Sequence, residues 1–162
     1  MFKFLARLIG IKLPYFFGKD KIIYLLYSPI RDLNLGENFE INYFNKKYRG
    51  ITSNYIDWGV YFKGGIECGL VNYIKTQIKD YNYFFDIGSN SGTLSLPFCS
   101  VKNLKIICFE PLDYSYKKLT DNFKLNNAFK KHSFHKIALS NKKGNSIIYY
   151  SDKDSNIGTA SL

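Results

Sequence analysis

The chain of 162 residues contains few residues that bind metals or form disulfides: three cysteines and two histidines. Cys68, Cys99 and Cys108 lie far apart, so no pair has the spacing of a zinc site. Their odd number and apolar surroundings predict buried, reduced thiols in a cytoplasmic protein. His132 and His135 are three residues apart in a predicted strand and would face opposite sides, so no metal site is predicted.

The sequence also lacks a long hydrophobic run, since none reaches the roughly 18 residues that a membrane-spanning helix needs. The N-terminal stretch, residues 1–17, is basic and apolar, but Pro14 interrupts it and no small-residue cleavage site follows. Its apolar residues at helical spacing are Phe2, Leu5, Leu8 and Ile9. We expect this helix to pack on the domain, because amphipathic helices usually face a core. Peripheral membrane contact by residues 1–17 is the less favoured alternative.

Acidic residues are scarce: 13 Asp and Glu stand against 23 Lys and Arg, for a net charge of +10. Such a balance is typical of proteins that bind nucleic acid, anionic membranes or acidic substrates. The basic residues are nevertheless scattered in short pairs, a pattern that a lysine-rich proteome also produces. We therefore interpret them as surface lysines and do not predict a nucleic-acid partner.

The first part of the chain, residues 1–64, carries weak signals and is assigned to an N-terminal segment. It contains a short apolar run over 21–27 and a weak alternation over 37–44 that predicts a strand. The aromatic run over 55–62 is interpreted as extended. Residues 65–162 are assigned to the first part of a cofactor-binding domain.

Stronger periodicities begin at residue 66 and alternate between helix and strand. A strand without polar alternation, such as 82–87, is typically buried on both faces. The order predicts an α/β fold with a parallel sheet and helices on both of its faces. The predicted elements are helix 66–78, strand 82–87, helix 93–101, strand 105–109, helix 114–125, strand 135–139 and a β-run over 146–150.

A candidate binding loop follows the first strong strand, in the sequence FFDIGSNSGT (84–93). Asp86 lies at the carboxyl end of the strand, where sheets of this kind bind their ligands. Gly88 permits backbone angles that other residues avoid, Asn90 tolerates turns, and Gly92 allows close packing where a helix starts. A ligand here would contact backbone N–H groups and the N-terminus of the predicted helix 93–101.

A second acid, Glu110, follows the next strand and is well placed to bind both hydroxyls of a ribose. The loop lacks the G-x-G-x-x-G pattern that cradles a pyrophosphate. The carboxylate of Asp86 would repel a pyrophosphate but suits the cationic methionine part of S-adenosylmethionine. The alternative, in which both acids only cap helices or lie at the surface, is disfavoured by the element order.

Three stretches carry a family resemblance: FFDIGSNSGTLSL (84–96), CFEPLDYSYKKLTDNFKLNN (108–127) and KIALSNKKGNSIIYYSDKDSNIGTASL (136–162). They resemble consecutive blocks of the FkbM family of S-adenosylmethionine-dependent methyltransferases, over about residues 60–162. The resemblance implies a class I, Rossmann-like methyltransferase fold and O-methylation of a sugar or natural-product hydroxyl. The implied partners are S-adenosylmethionine and a small-molecule or carbohydrate acceptor.

The resemblance also implies the positions of the cofactor site, while no catalytic residue is assigned. Glu110 would hold the ribose, and the Ala138–Leu139 pair would end the third strand. Glu67 occupies a place where related proteins often carry an acid, although a helix-surface acid explains it equally well. The residues implied on the methionine side are Asp86, Gly88, Ser89, Asn90 and Gly92.

One block of the family pattern has no counterpart before Leu162: the apolar strand that ends in acids near the methyl acceptor. The expected sheet is therefore incomplete, and a truncated chain is the favoured explanation. Two other functions stay open, a non-catalytic nucleoside-binding module and, less favoured, a nucleic-acid methyltransferase.

Overall fold

The computed structural model describes residues 2–14, 16–27, 36–145 and 147–148. The chain divides into two compact units. The first is drawn from residues 1–41, 50–66 and 146–162, and the second from residues 42–49 and 67–145.

Three helices build the first unit: α1 (Phe2–Lys12), α2 (Lys19–Leu26) and α3 (Tyr55–Lys63). Its core is a cluster of buried side chains from all three: Ala6, Ile23, Trp58 and Phe62. No helix in the described part of the chain is long and apolar enough to cross a membrane.

Helix α1 confirms the predicted helix but not its predicted packing face. The buried residues are Ala6 and Gly10, whereas Phe2, Leu5 and Leu8 are 41–59% exposed. Small residues form the contact between α1 and α3 because they let the two helix backbones approach closely. A Cβ added to Gly10 would overlap the carbonyl oxygen of Phe62. Ile9, the fourth residue of the predicted face, does pack against the core, whereas the expectation that Phe2, Leu5 and Leu8 face it is wrong.

The extended interpretation of residues 55–62 is also wrong, because this stretch forms α3. The side chain of Asn54 caps its start by accepting hydrogen bonds from the N–H groups of Ile56 and Asp57. Gly64 ends the helix in the left-handed conformation, with φ 80°. These end signals outweigh the strand preference of the aromatic residues.

A two-stranded hairpin, β1 (Asn38–Tyr43) and β2 (Lys46–Ile51), confirms the strand predicted over 37–44. Its turn consists of two residues with positive φ, Phe44 (47°) and Asn45 (62°). Two such residues form the turn type whose twist matches a hairpin.

The second unit contains α4 (Cys68–Gln77), β3 (Tyr83–Ile87), β4 (Lys105–Phe109), α5 (Asp113–Leu125) and β5 (Ser133–His135). The strands form a parallel sheet in the order β3-β4-β5. The predicted α/β class and parallel pairing are thus confirmed for three strands. In α5, Leu119 and Phe123 are fully buried.

Two elements of this unit differ from their prediction. Residues 93–101 form no α-helix; turns surround one 3-10 turn, Leu96–Phe98, because Pro97 cannot donate a helical hydrogen bond. The third strand covers 133–135 rather than 135–139, and residues 136–140 have no regular structure. Of the β-run predicted over 146–150, Ser146, Tyr149 and Tyr150 lie outside the described residues.

Strand β3 is not buried on both faces, as its apolar sequence predicted. Asp86 is buried, but the alternate side chains of Tyr83, Phe85 and Ile87 are 57–66% exposed. Period-two alternation places these three on one face of the sheet. The described residues leave that face uncovered.

Buried His132, just before β5, links β4 to the loop that precedes β4. Its ring must be neutral to make both hydrogen bonds. Its Nδ1 accepts the N–H of Ile106 at 3.1 Å, so its Nε2 carries the proton and donates to the carbonyl oxygen of Cys99 at 2.8 Å. Burial lowers the pKa of His132, opposed by the Cys99 carbonyl and reinforced by the charges of Lys131 and Lys105.

This arrangement predicts that acid destabilises the fold through His132. Because the folded pKa is lowered, the unfolded chain takes up the proton first, and stability falls as pH drops below about 6.5. In urea unfolding between about pH 5 and 7, the native chain should show this slope relative to His132→Gln, in which it is absent. His135→Gln, which alters an exposed ring, should keep the slope. A stability difference between the native chain and His132→Gln that stays constant across this range would contradict the assignment.

Candidate functional site

Two buried acids stand at the carboxyl ends of neighbouring strands, as the sequence predicted. Asp86 pairs in register with Cys108, and Glu110 follows the last residue of β4. Each acid is 5% exposed. Buried carboxylates are uncommon unless they are paired, so their environment indicates what this sheet edge can bind.

The loop that follows Asp86, residues 88–92, folds back on the sheet, and most of its N–H groups donate hydrogen bonds within the protein. Gly88 and Ser89 both donate to the carbonyl oxygen of Phe109, at 2.9 and 3.0 Å. Gly92 donates to the carbonyl of Ser89 at 2.8 Å, and Asn90 donates to the carboxylate of Glu110. The expected contact of a ligand with these N–H groups is therefore not supported. The expected contact with a helix N-terminus is not supported either, because residues 93–101 form no α-helix.

Glu110 joins two loops through its carboxylate. Oε2 accepts the N–H of Asn90 at 2.8 Å, and Oε1 accepts the N–H of Leu112 at 2.9 Å. Each carboxylate oxygen can accept a second hydrogen bond, so the group can still receive ligand hydroxyls. Sequence reasoning missed this architectural role because it depends on two backbone groups that only the folded loops bring together.

Asp86 is the acid whose bonding is incomplete. Its Oδ2 is buried and has no hydrogen-bond partner within the described part of the chain. Burial raises the pKa of Asp86, the hydroxyls of Ser95 and Ser89 oppose this rise, and the negative charges of Glu67 and Glu110 add to it. A desolvated carboxylate with an unused oxygen, surrounded by like charge, favours binding of a cation.

Glu67 lies just before α4, is exposed, and makes no capping hydrogen bond to that helix. Its charge nevertheless reaches the site, because it contributes to the raised pKa values of Asp86 and Tyr43. Close by, burial and then the charge of Asp86 raise the pKa of Cys108 to about 12, so this thiol stays protonated at neutral pH. A nucleophilic role for Cys108 is therefore disfavoured.

The backbone of the loop has the shape that its glycines predicted. Gly88, Asn90 and Gly92 have φ values of 76°, 46° and 83°. A Cβ on Gly88 would meet no described atom within 4 Å, so the loop leaves open space there. A Cβ on Gly92 would come 2.8 Å from Leu119, so this glycine packs against α5 rather than at a helix start.

A buried network holds Ser91, at the centre of the loop. The hydroxyls of Tyr48 and Ser91 lie 2.8 Å apart, and Asn122 Nδ2 donates to the Ser91 carbonyl at 3.2 Å. Asn122 also accepts the N–H of Arg49. No local sequence pattern predicts these hydrogen bonds, because the partners lie in distant parts of the sequence. They hold Ser91 in place, next to Asn90, whose N–H donates to Glu110.

The structure does not bring every predicted site residue to this loop. Ala138 and Leu139 are exposed in the irregular segment after β5. Among the described residues, no hydrogen bond joins them to the Asp86 loop. Their assignment to the cofactor site stays a prediction.

Replacement of Glu110 should measure its architectural role. In Glu110→Gln, the amide NH₂ must face either the Asn90 or the Leu112 N–H, which sets donor against donor. We expect a loss of about 1–3 kcal/mol in the free energy of unfolding, measured in urea. Glu67→Gln, at an exposed acid, should change it by less than about 0.5 kcal/mol. Equal stability of the native chain and Glu110→Gln would show that the bridge does not hold the loops.

Comparisons with known proteins do not assign a family. No protein-family model matches the chain, and no curated protein does either. A solved structure that matches is that of PH0793 from Pyrococcus horikoshii, provisionally named a transferase, at 18% identity and a TM-score of 0.43. The match covers 62% of this chain, which spans only 36% of that protein. A likeness of this size carries no argument about activity, and the resemblance to the FkbM family stays a prediction.

Proposed function

We propose that this chain binds S-adenosylmethionine at the carboxyl ends of β3 and β4 and forms the cofactor-binding part of a methyltransferase. The observation that carries the proposal is the buried Oδ2 of Asp86, which lacks a partner in the described chain. The ammonium group of the methionine moiety would supply the missing donor and the opposite charge.

The charge around the loop supports this cofactor over a dinucleotide. A pyrophosphate is usually held by free backbone N–H groups at a helix N-terminus. Here the N–H groups of Gly88, Ser89, Asn90 and Gly92 already have partners, and residues 93–101 form no α-helix. The acids would repel a pyrophosphate and attract a cation.

Glu110 supports the nucleoside part of the proposal. Its two fixed hydrogen bonds orient the carboxylate and leave lone pairs for vicinal hydroxyls. A ribose presents two such hydroxyls. The open space at Gly88 would allow the ligand to approach the main chain.

When bound, S-adenosylmethionine supplies a methyl group on a positively charged sulfonium. The task of Asp86 and Glu110 would be to fix the two ends of the cofactor, so that the methyl group points in one direction. The acceptor class, a hydroxyl of a sugar or natural product, rests on the resemblance to FkbM enzymes. No residue of this chain is assigned as the base.

Calorimetric titration of the 162-residue chain with S-adenosylhomocysteine and with NAD tests this proposal. We expect a dissociation constant on the order of micromolar for S-adenosylhomocysteine and no measurable binding of NAD. Circular dichroism of the same sample must show a folded chain. Binding of NAD without S-adenosylhomocysteine, or of neither by a folded chain, would overturn the proposal.

A further inference from the structure

The first helix carries an apolar face that the described residues of its own unit do not cover. Phe4, Leu8 and Ile11 recur at helical spacing and are 75%, 43% and 45% exposed. Ala6 and Gly10, which pack in the core, are offset from Phe4 and Leu8 by two residues. An offset of two places residues on opposite sides of a helix, so the exposed face points away from the core.

The turn after α1 extends this apolar surface. Leu13 and Phe16 are 47% and 39% exposed, and Phe17 is 99% exposed. The turn is held in place, because buried Lys19 donates from its Nζ to the Leu13 carbonyl and from its backbone N–H to the Phe16 carbonyl. A folded turn that presents a fully exposed phenylalanine indicates an interaction surface.

All charged side chains before Asp20, over residues 2–19, are basic. Residues 2–19 contain four basic side chains, Lys3, Arg7, Lys12 and Lys19, and Lys21 follows Asp20. Lys3 and Arg7 lie over the Tyr61 ring, and Lys3 also pairs with Glu37. Lys12, the last residue of α1, and Lys21, in α2, are exposed.

We infer that this surface, defined by Phe4, Leu8, Ile11, Leu13, Phe16 and Phe17, binds the interface of an anionic lipid bilayer. An aromatic and aliphatic helix face flanked by lysines is the pattern of helices that lie in the membrane interface. The apolar side chains would enter the boundary between headgroups and acyl chains, while the lysines attract anionic headgroups. The inference is independent of the proposed cofactor site, whose residues are all in the other unit.

The charge complementarity favours a bilayer over a second copy of the chain. A copy would bring the same basic face, so that Lys12 and Lys21 would meet like charges. An anionic bilayer offers negative charge and apolar depth together. The net charge of +10 adds attraction to the same surface.

Co-sedimentation of the 162-residue chain with vesicles tests the inference. We expect binding to phosphatidylcholine vesicles that contain about one quarter phosphatidylserine, and weak binding to phosphatidylcholine alone. Binding to the anionic vesicles should fall as salt is raised. The double variant Phe4→Ser/Phe17→Ser should bind at least about tenfold more weakly.

A matched control is Ile137→Ser, which removes a side chain of the second unit that is 50% exposed. It should bind vesicles as the native chain does. Insertion is read directly from Phe17→Trp, whose fluorescence should shift to the blue with anionic vesicles, whereas that of Ile137→Trp should not. Buried Trp58, which is 4% exposed, gives a constant background.

Three results would overturn the inference. One is a folded chain that binds neither kind of vesicle. Another is equal vesicle binding by the native chain and Phe4→Ser/Phe17→Ser. The third is a native dimer that this double variant converts to a monomer while no vesicle binding is seen, because the face would then join two copies.

Discussion

Asp86→Asn should weaken the binding of S-adenosylhomocysteine by roughly 10- to 100-fold and should at the same time stabilise the fold. The first effect follows if the buried carboxylate accepts a charge-assisted hydrogen bond, which is worth about 1.5–3 kcal/mol. The amide of asparagine keeps the shape of the side chain but loses the charge that attracts the ammonium group. Calorimetry measures this effect.

A truncated ligand makes this prediction specific to the ammonium group. 5′-Methylthioadenosine contains the adenosine and the thioether but lacks the amino-acid part. Asp86→Asn should therefore leave its affinity unchanged within about twofold, because the contact that the substitution removes is absent from this ligand. Equal losses for both ligands would place Asp86 outside the ammonium site.

The stability effect follows from the buried charge and has a defined pH dependence. Because the folded pKa of Asp86 is raised above its ordinary value of about 3.9, the carboxylate destabilises the fold at neutral pH. This cost diminishes as pH falls through the raised pKa and vanishes below about pH 3.9. Asp86→Asn should gain about 1 kcal/mol at neutral pH, and its advantage should shrink on acidification.

Such a variant would lose function and gain stability, which is the behaviour of a binding residue held in an unfavourable environment. Urea unfolding of the native chain and Asp86→Asn at several pH values measures the difference. If Asp86→Asn is less stable than the native chain at neutral pH, the carboxylate has a structural partner. The argument that Asp86 forms a cation-binding site would then fail.

Gly10→Ala should destabilise the first unit by about 3 kcal/mol, near the upper end of the range for overpacking a core. The added methyl group would overlap the backbone carbonyl oxygen of Phe62, and Ile23 Cδ1 lies 3.2 Å away. Backbone cannot rotate aside as a side-chain end does, so α1 and α3 would have to separate. The gain of about 1 kcal/mol that alanine brings to a helix does not offset this overlap.

Gly69→Ala is the matched control for this substitution. Gly69 is also helical, in α4, but a Cβ there would meet no described atom within 4 Å. We expect a gain of about 0.5–1 kcal/mol from helix propensity alone. The two alanine variants should thus move the urea midpoint in opposite directions. A Gly10→Ala chain as stable as the native one would show that α1 and α3 are not in close contact.

The sequence alone determined the features that depend on neighbouring residues. The apolar runs at 82–87 and 105–109 and the period of α5 identified two strands and a helix, because strand and helix preferences act over a few residues. The positive φ values of Gly88 and Asn90 followed equally from local chemistry. Where two local signals competed, as at Pro97 or in the aromatic stretch of α3, the sequence was misread.

Only the tertiary structure decided which groups are satisfied and which faces are covered. Helical spacing placed apolar residues on two sides of α1, and close packing of Ala6 and Gly10 chose the buried side. The order of strands brought Asp86 and Glu110 to one edge of the sheet. Only the folded loop after β3 showed that its N–H groups are already hydrogen-bonded, and that Asn90 and Leu112 each donate to one oxygen of Glu110. Asp86 kept an oxygen without a described partner because hydrogen bonding and burial depend on atoms far apart in the chain.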